Sequence, residues 1–244
     1  MLHQDFSIIA HRGFSSKAPE NTLAAIEKAL QLWVDMIEID IHLTSDNEIV
    51  VIHDDTLDRT TNGKGKVVSK NLSQLKQLDA GSWFHHTFNS EKIPTLDEVL
   101  TLVDGKAIVL IEMKGDTNIY PDLPVLLAKK LTNSQAIDWC IAQAFEIQLI
   151  DKLYRFSPAI SCFYLIENKA IHFNQQHYFY KAINPNFDLL DDELVNNLHD
   201  NGLKTFPYTV NRREDMMKLI NFNVDGIITD YPDILKKTLN ELSN

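Results

Sequence analysis

Cysteine is scarce in this chain, with two residues, Cys140 and Cys162, among 244. Both fall inside apolar runs, Cys140-Ile141-Ala142 and Ile160-Ser161-Cys162-Phe163. That placement fits buried, reduced thiols and excludes a disulfide-stapled scaffold. Neither cysteine has zinc-site spacing. Long hydrophobic runs are missing too. None approaches the roughly 18 residues needed to span a bilayer, so no transmembrane helix is expected. Positive charge is in short supply, 23 Lys and Arg against 34 Asp and Glu, for a net charge of −11. Nucleic acid and stable association with an anionic membrane are both disfavoured as partners by that balance. Any phosphate-bearing ligand has to be held by local cations. Residues 1–5 carry no basic leader or cleavage site ahead of the first apolar run, which points to the cytoplasm. No internal repeat or low-complexity tract is present.

What the chain does have is a series of short, β-branched runs that each end on a charged group or an imidazole. They are Ser7-Ile8-Ile9-Ala10-His11-Arg12, Met36-Ile37-Glu38-Ile39-Asp40, Ile49-Val50-Val51-Ile52-His53-Asp54 and Ile108-Val109-Leu110-Ile111-Glu112-Met113-Lys114. Runs of this kind, alternating with helices, read as parallel strands. Charges at strand C-termini are where α/β barrels keep their chemistry, and the length matches one barrel of about 250 residues. Downstream, helices are expected over 121–131, 146–155, 191–200, 212–221 and 232–242. Strands are expected over 140–145, 159–164, 180–184, 203–209 and 225–229. Asn21-Thr22 caps a helix whose apolar positions are Leu23, Ile26, Leu30 and Trp33. Thr95-Leu96-Asp97-Glu98 has the form of a capping box. Nine strand candidates are one too many for a closed barrel. The excess lies either in the pair around residues 38–53, whose turn leaves no room for a crossover helix, or near residue 180. Residues 54–94, polar and turn-rich, form no βα unit and read as an insertion on the rim, a lid or specificity element.

Residues i and i+2 of a strand share a face. Glu38 and Asp40 therefore project together, and Glu112 joins them from a later strand. Three carboxylates in one space repel unless a cation lies among them, and all-oxygen ligation suits a hard ion such as Mg²⁺, Ca²⁺ or Mn²⁺. The alternative is that they pair with Lys or Arg. His11 and His53 end different strands on one rim, where two imidazoles can serve as general acid and general base. His42 shares the face of Glu38 and Asp40 but reads as a bystander, as do His3, His85, His86, His172, His177 and His199. Arg12 and Lys114 put cations beside the same strand ends. Lys114 either contacts a phosphoryl oxygen or simply neutralises Glu112; spacing leaves both open.

Taken in order, these segments resemble the glycerophosphodiester phosphodiesterases. The matching pieces are His11-Arg12-Gly13 with Pro19-Glu20-Asn21-Thr22, Glu38 to Asp46, His53-Asp54, and Asp58-Arg59-Thr60-Thr61-Asn62-Gly63. Glu112-Met113-Lys114, Tyr208-Thr209-Val210-Asn211 and Asp225 to Pro232 complete the set. The resemblance implies one irregular TIM (β/α)8 barrel over 1–244, with the 54–94 insertion within it. It implies Glu38, Asp40 and Glu112 as ligands of one divalent cation, Mg²⁺ or Ca²⁺, and His11 and His53 as the acid–base pair. Arg12 and Lys114 become phosphate contacts, Tyr208 a residue lining the substrate rim, and Glu20 and Asn21 supports. The implied reaction is metal-dependent hydrolysis of glycerophosphodiesters, small deacylated headgroups, to sn-glycerol 3-phosphate and an alcohol. The nucleophile is water or the neighbouring glycerol hydroxyl. The competing readings are a lysophospholipase D or phosphatidylinositol phospholipase C type of lipid phosphodiesterase, and a non-catalytic barrel that binds phosphorylated ligands. The chain departs from the family pattern at Tyr208, usually Trp, and at Ala144, usually Ser.

Overall fold

The computed structural model describes residues 6–168 and 179–243. The strands are β1 (Ser7–Ala10), β2 (Met36–Leu43), β3 (Ile49–Val51), β4 (Ile108–Met113), β5 (Cys140–Ala144), β6 (Ser161–Ile166), β7 (Ala182–Pro185) and β8 (Gly226–Thr229). The helices are α1 (Leu23–Gln31), α2 (Leu72–Leu75), α3 (Leu96–Val103), α4 (Leu123–Asn133), α5 (Ile147–Phe156), α6 (Asp192–Asp200), α7 (Arg213–Asn221) and α8 (Pro232–Leu242). All strands but β3 pair in parallel, in the order β7-β6-β5-β4-β2-β1-β8. The stretch 204–210 lies between the two ends. It takes no regular strand form, yet Ile183 N donates to Lys204 O and Tyr208 N to Pro185 O on one side. On the other side Asp225 N donates to Thr205 O and Ile228 N to Pro207 O. These bonds close an irregular (β/α)8 barrel with residues 204–210 as its eighth stave. Pro207 has no N–H to donate, which is why a ladder cannot run through it.

The surplus strand candidate is β3. It runs antiparallel to β2, with Ile41 opposite Val51 and Leu43 opposite Ile49, and stands off the barrel. The expectation of a parallel strand ending at His53 is therefore corrected: the short turn at Ser45–Asn47 sends the chain straight back. The segment near 180 is a barrel strand. Trp33 is a second correction, since α1 ends at Gln31 and Trp33, at φ 57°, is 81% exposed rather than packed. The caps at Thr22 and Thr95 form as expected, the latter as a full capping box with Glu98.

Two apolar layers set the positions of the polar groups. The outer layer joins the sheet to the helices. Inside the barrel, Ile9, Met36, Leu110, Phe163, Ala182, Phe206 and Ile228 form a plug, with Phe163 and Phe206 stacked. Counting in twos from these residues gives His11, Glu38 and Asp40, Glu112 and Lys114, Tyr208, and Asp230. The alternation that buries a plug residue thus aims the later residues above it, at the C-terminal mouth. Residues 54–94 carry no barrel strand. Their Leu57, Val67, Leu75, Ala80 and Ile93 pack with Val50 and Ile52 of the β3 segment in a cluster of their own.

The turn leaving β1 is tightly drawn. Gly13 has φ +82°, and a Cβ there would stand 2.7 Å from the backbone carbon of Ala25. Gly13→Ala is expected to lose about 1–2 kcal/mol from the left-handed backbone alone, with the clash added. Calorimetry should record a clear fall in Tm; an unchanged Tm would mean that the turn is not constrained.

Candidate active site

Asp40 and Glu112 are register partners across β2 and β4, and Glu38 lies one pleat below. One carboxylate oxygen from each falls within 4.8 Å of the others, and all three residues are buried. Asn21 Nδ2 donates to Asp40 Oδ2 at 2.7 Å, and the Asp40 N–H returns a bond to Asn21 Oδ1. Lys114 Nζ bridges Asp40 Oδ1 at 2.9 Å and Glu112 Oε1 at 2.5 Å. The Arg12 N–H donates to Glu38 Oε2 at 3.0 Å from a backbone at φ 57°, while its Nε pairs with Asp40 at 3.2 Å. Glu38 Oε1 is buried with no hydrogen-bond partner among the described residues. Three carboxylates thus face two cations and leave an unsatisfied oxygen, a donor set that fits a hard divalent ion.

The electrostatics follow from that crowding. Burial, then Asp40 and Glu112, push the Glu38 carboxyl well above its usual range. Burial also lifts Glu112, to about 7, with Lys114 opposing and Asp40 adding to the rise. Asp40 is likewise buried, but Lys114 and Arg12 outweigh burial and hold it well below the usual carboxylate range. Without a cation, two of the three groups resist ionisation.

Each site histidine is held by a carboxylate. His11 Nδ1 lies 2.7 Å from Asp230 Oδ1, which also accepts from Ser15 Oγ, while Asn211 Nδ2 donates to Oδ2. Against its burial, the bonds from His11 and Asn211 bring Asp230 down to about 2. His53 Nδ1 lies 2.7 Å from Asp54 Oδ1. An ionised carboxylate only accepts, so both Nδ1 atoms carry protons and each Nε2 is left to the cavity that both rings line. Burial keeps the His53 pKa below the usual imidazole value, with Asp40 opposing and Lys114 adding to the fall.

That cavity, of about 190 Å³, is also lined by Arg12, Glu38, Glu112, Lys114, Gln143, Phe145 and Tyr208. It falls below the roughly 300–1,000 Å³ of drug-sized sites, which suits a small polar ligand. The Tyr208 hydroxyl donates to the Ile166 carbonyl at 2.9 Å, so its ring, edge-on to Phe145, is what the cavity meets. Ala144 packs in the outer layer beside the lining residues Gln143 and Phe145, so the absent serine hydroxyl would point away from the cavity.

Three groups without an expected role join the site. Asp54 and Asp230 orient the histidines; Asp54 offers only its place directly after His53, while Asp230 lies two residues beyond the plug residue Ile228. His42, read as a bystander, hydrogen-bonds the His53 carbonyl through Nε2 at 3.0 Å. Its Nδ1 lies 3.0 Å from the Tyr120 hydroxyl. His199 pairs with Asp225 at the opposite end of β8, and His85 and His86 are exposed. His3, His172 and His177 lie outside the described residues.

The profile of the glycerophosphoryl diester phosphodiesterase family matches residues 11–234. The chain belongs to this family. A glycerophosphodiester phosphodiesterase of Caldanaerobacter subterraneus is 40% identical over 234 residues, covering 93% of this chain and 95% of the relative. Another, of Bacillus subtilis, is 32% identical and covers 94% and 85%. Among solved structures, an Oleispira antarctica phosphodiesterase in complex with the product sn-glycerol 3-phosphate superposes with a TM-score of 0.91 at 29% identity, covering 96% of each chain. As a glycerophosphodiester phosphodiesterase family member, the chain is by class a phosphoric diester hydrolase. No helix among the described residues is long and apolar enough to cross a membrane.

Proposed function

We propose that this chain hydrolyses glycerophosphodiesters to sn-glycerol 3-phosphate and an alcohol, with one divalent cation, Mg²⁺ or Ca²⁺, held by Glu38, Asp40 and Glu112. The observation that carries the reading is the meeting of two carboxylate-held imidazoles with that acidic cluster in one small cavity. Bound there, the ion would supply Lewis-acid polarisation of the phosphoryl group. Arg12 and Lys114 hold the phosphoryl oxygens by charge-assisted hydrogen bonds. One histidine takes the proton of the attacking hydroxyl at Nε2. The other, protonated at Nε2, gives its proton to the departing alkoxide oxygen, so the alcohol leaves neutral. Asp54 and Asp230 keep both rings turned so that Nε2 faces the phosphorus. The Tyr208 ring and residues 54–94 line the approach for the remainder of the substrate.

We place the reaction in the cytoplasm, in keeping with the free, buried Cys140 and Cys162. The net charge of −11 supports a small-molecule substrate without nucleic acid or membrane as partner. Glycerophosphocholine is therefore expected to exceed lysophosphatidylcholine in kcat/KM at matched metal concentration, with release of glycerol 3-phosphate followed by a coupled assay. A preference for the lysolipid would replace this reading with a lysophospholipase D.

A further inference from the structure

Arg59 stands outside the cavity lining, yet it is bound to both halves of the machinery. Its Nε and Nη2 donate to Asp54 Oδ2 and Oδ1 at 2.8 and 2.9 Å, and its Nη1 and Nη2 donate to Glu20 Oε2 and Oε1 at 2.8 Å each. Asp54 holds His53, and Glu20 Oε1 also accepts from Arg12 Nη1 at 2.8 Å. A continuous chain of charged hydrogen bonds therefore runs His53–Asp54–Arg59–Glu20–Arg12. The backbone around Arg59 is itself pinned. Leu57 is buried, Thr61 Oγ1 donates to the Leu57 carbonyl at 2.6 Å, and Gly65 N donates to Asp58 Oδ2 at 2.9 Å.

We infer that Arg59 is a positioning residue, a clamp on the 54–94 segment that fixes His53 through Asp54 and Arg12 through Glu20. A planar guanidinium is the one side chain that can serve two carboxylates bidentately at once. A lysine ammonium carries the same charge as a single point and cannot hold both in register. Glu20 and Asp54 belong to segments far apart in sequence, and without the clamp two carboxylates would face each other with no cation between them. Asp54 could then turn from His53 Nδ1, and the ring would lose the bond that selects its tautomer. The clamp would make the 54–94 segment part of the catalytic apparatus as well as a wall. Charge neutralisation alone would be satisfied by lysine; the double fork would not.

The inference rests on the proposed phosphodiesterase activity for its kinetic readout, so a second readout is chosen that needs no turnover. Arg59→Ala and Arg59→Lys are each expected to lower kcat about 10–100-fold, the usual range for groups that orient a site ligand, while KM stays within about threefold. The Arg59 side chain is 43% exposed, so added guanidinium can reach the gap and should restore part of the kcat of Arg59→Ala, whereas added ammonium should not. Nitrogen-15 NMR of the histidine rings should find His53 as one Nδ1–H tautomer at neutral pH in the wild type. In both variants that tautomer should give way to a mixture. If the wild type shows no hydrolysis of glycerophosphodiesters, the functional reading fails while the NMR result still decides the clamp. Wild-type kcat in Arg59→Lys, or an unchanged His53 tautomer in Arg59→Ala, would overturn it.

Discussion

His11→Ala and His53→Ala are each expected to lower kcat by about 10²–10⁴-fold, the range that a positioned acid or base supplies. The fold should survive both changes. Each ring sits at the barrel mouth above the plug and not within it, and neither belongs to an apolar cluster. His85→Ala and His199→Ala are the controls. His85 is exposed on the 54–94 segment, and His199 contacts Asp225 at the far end of the barrel. Both should keep nearly full activity. Equal losses in all four variants would point to stability and remove the acid–base assignment. Asp54→Asn and Asp230→Asn should fall between, because an amide offers an N–H as well as an acceptor and no longer dictates which nitrogen of the ring is protonated.

The second large effect concerns the acidic cluster. Chelation should abolish activity, and Mg²⁺ or Ca²⁺ should restore it. Metal-free protein should also show a distinctive pH dependence of stability. Glu112 rises from 4.5 to about 7 on folding, so the folded state binds its proton more tightly than the unfolded state. Its contribution is present in full below pH 4.5 and is lost as pH climbs through about 7, on the order of 3 kcal/mol from this group. Glu38, pushed up in the same sense by burial, then Asp40 and Glu112, adds to the loss. A bound cation reverses the sign, since ligation requires the ionised forms and metal affinity then rises with pH. Glu38→Gln should accordingly stabilise the metal-free protein at pH 8 while weakening metal binding. Thermal melts in chelator from pH 4 to 9, with and without added metal, measure both. A metal-free Glu38→Gln variant no more stable than the wild type at pH 8 would contradict the cluster's electrostatics.

Much of this site can be read from strand alternation. Ile9, Met36, Leu110 and Ile228 are apolar residues of buried strands, and a period of two from each leads to His11, Glu38, Glu112 and Asp230. The register that sets Asp40 beside Glu112 follows from parallel pairing of β2 with β4. What alternation cannot supply is the direction of a strand. Ile49–Val51 carries the same β-branched signature either way, and only the short Ser45–Asn47 turn betrays that it doubles back. The stave at 204–210 is legible as a strand over 203–209 but not as an irregular one, because Pro207 breaks the ladder without changing the burial of Phe206. Trp33 fitted the helical spacing but lies beyond the point where α1 stops. The carboxylates that orient the histidines were hidden for another reason. Asp54 acts through a hydrogen bond set by loop geometry, which has no period to read, and alternation brings Asp230 to the mouth without naming His11 as its partner. Arg59 reaches Glu20 across 39 residues of sequence, a contact that exists only after β3 has folded back.

The products formed from glycerophosphocholine by the purified protein test the metal-dependent hydrolysis most directly. With Mg²⁺ or Ca²⁺ present, equal amounts of sn-glycerol 3-phosphate and choline are expected, and none of either after chelation. Release of phosphocholine and glycerol, or an undiminished rate in excess chelator, would contradict it.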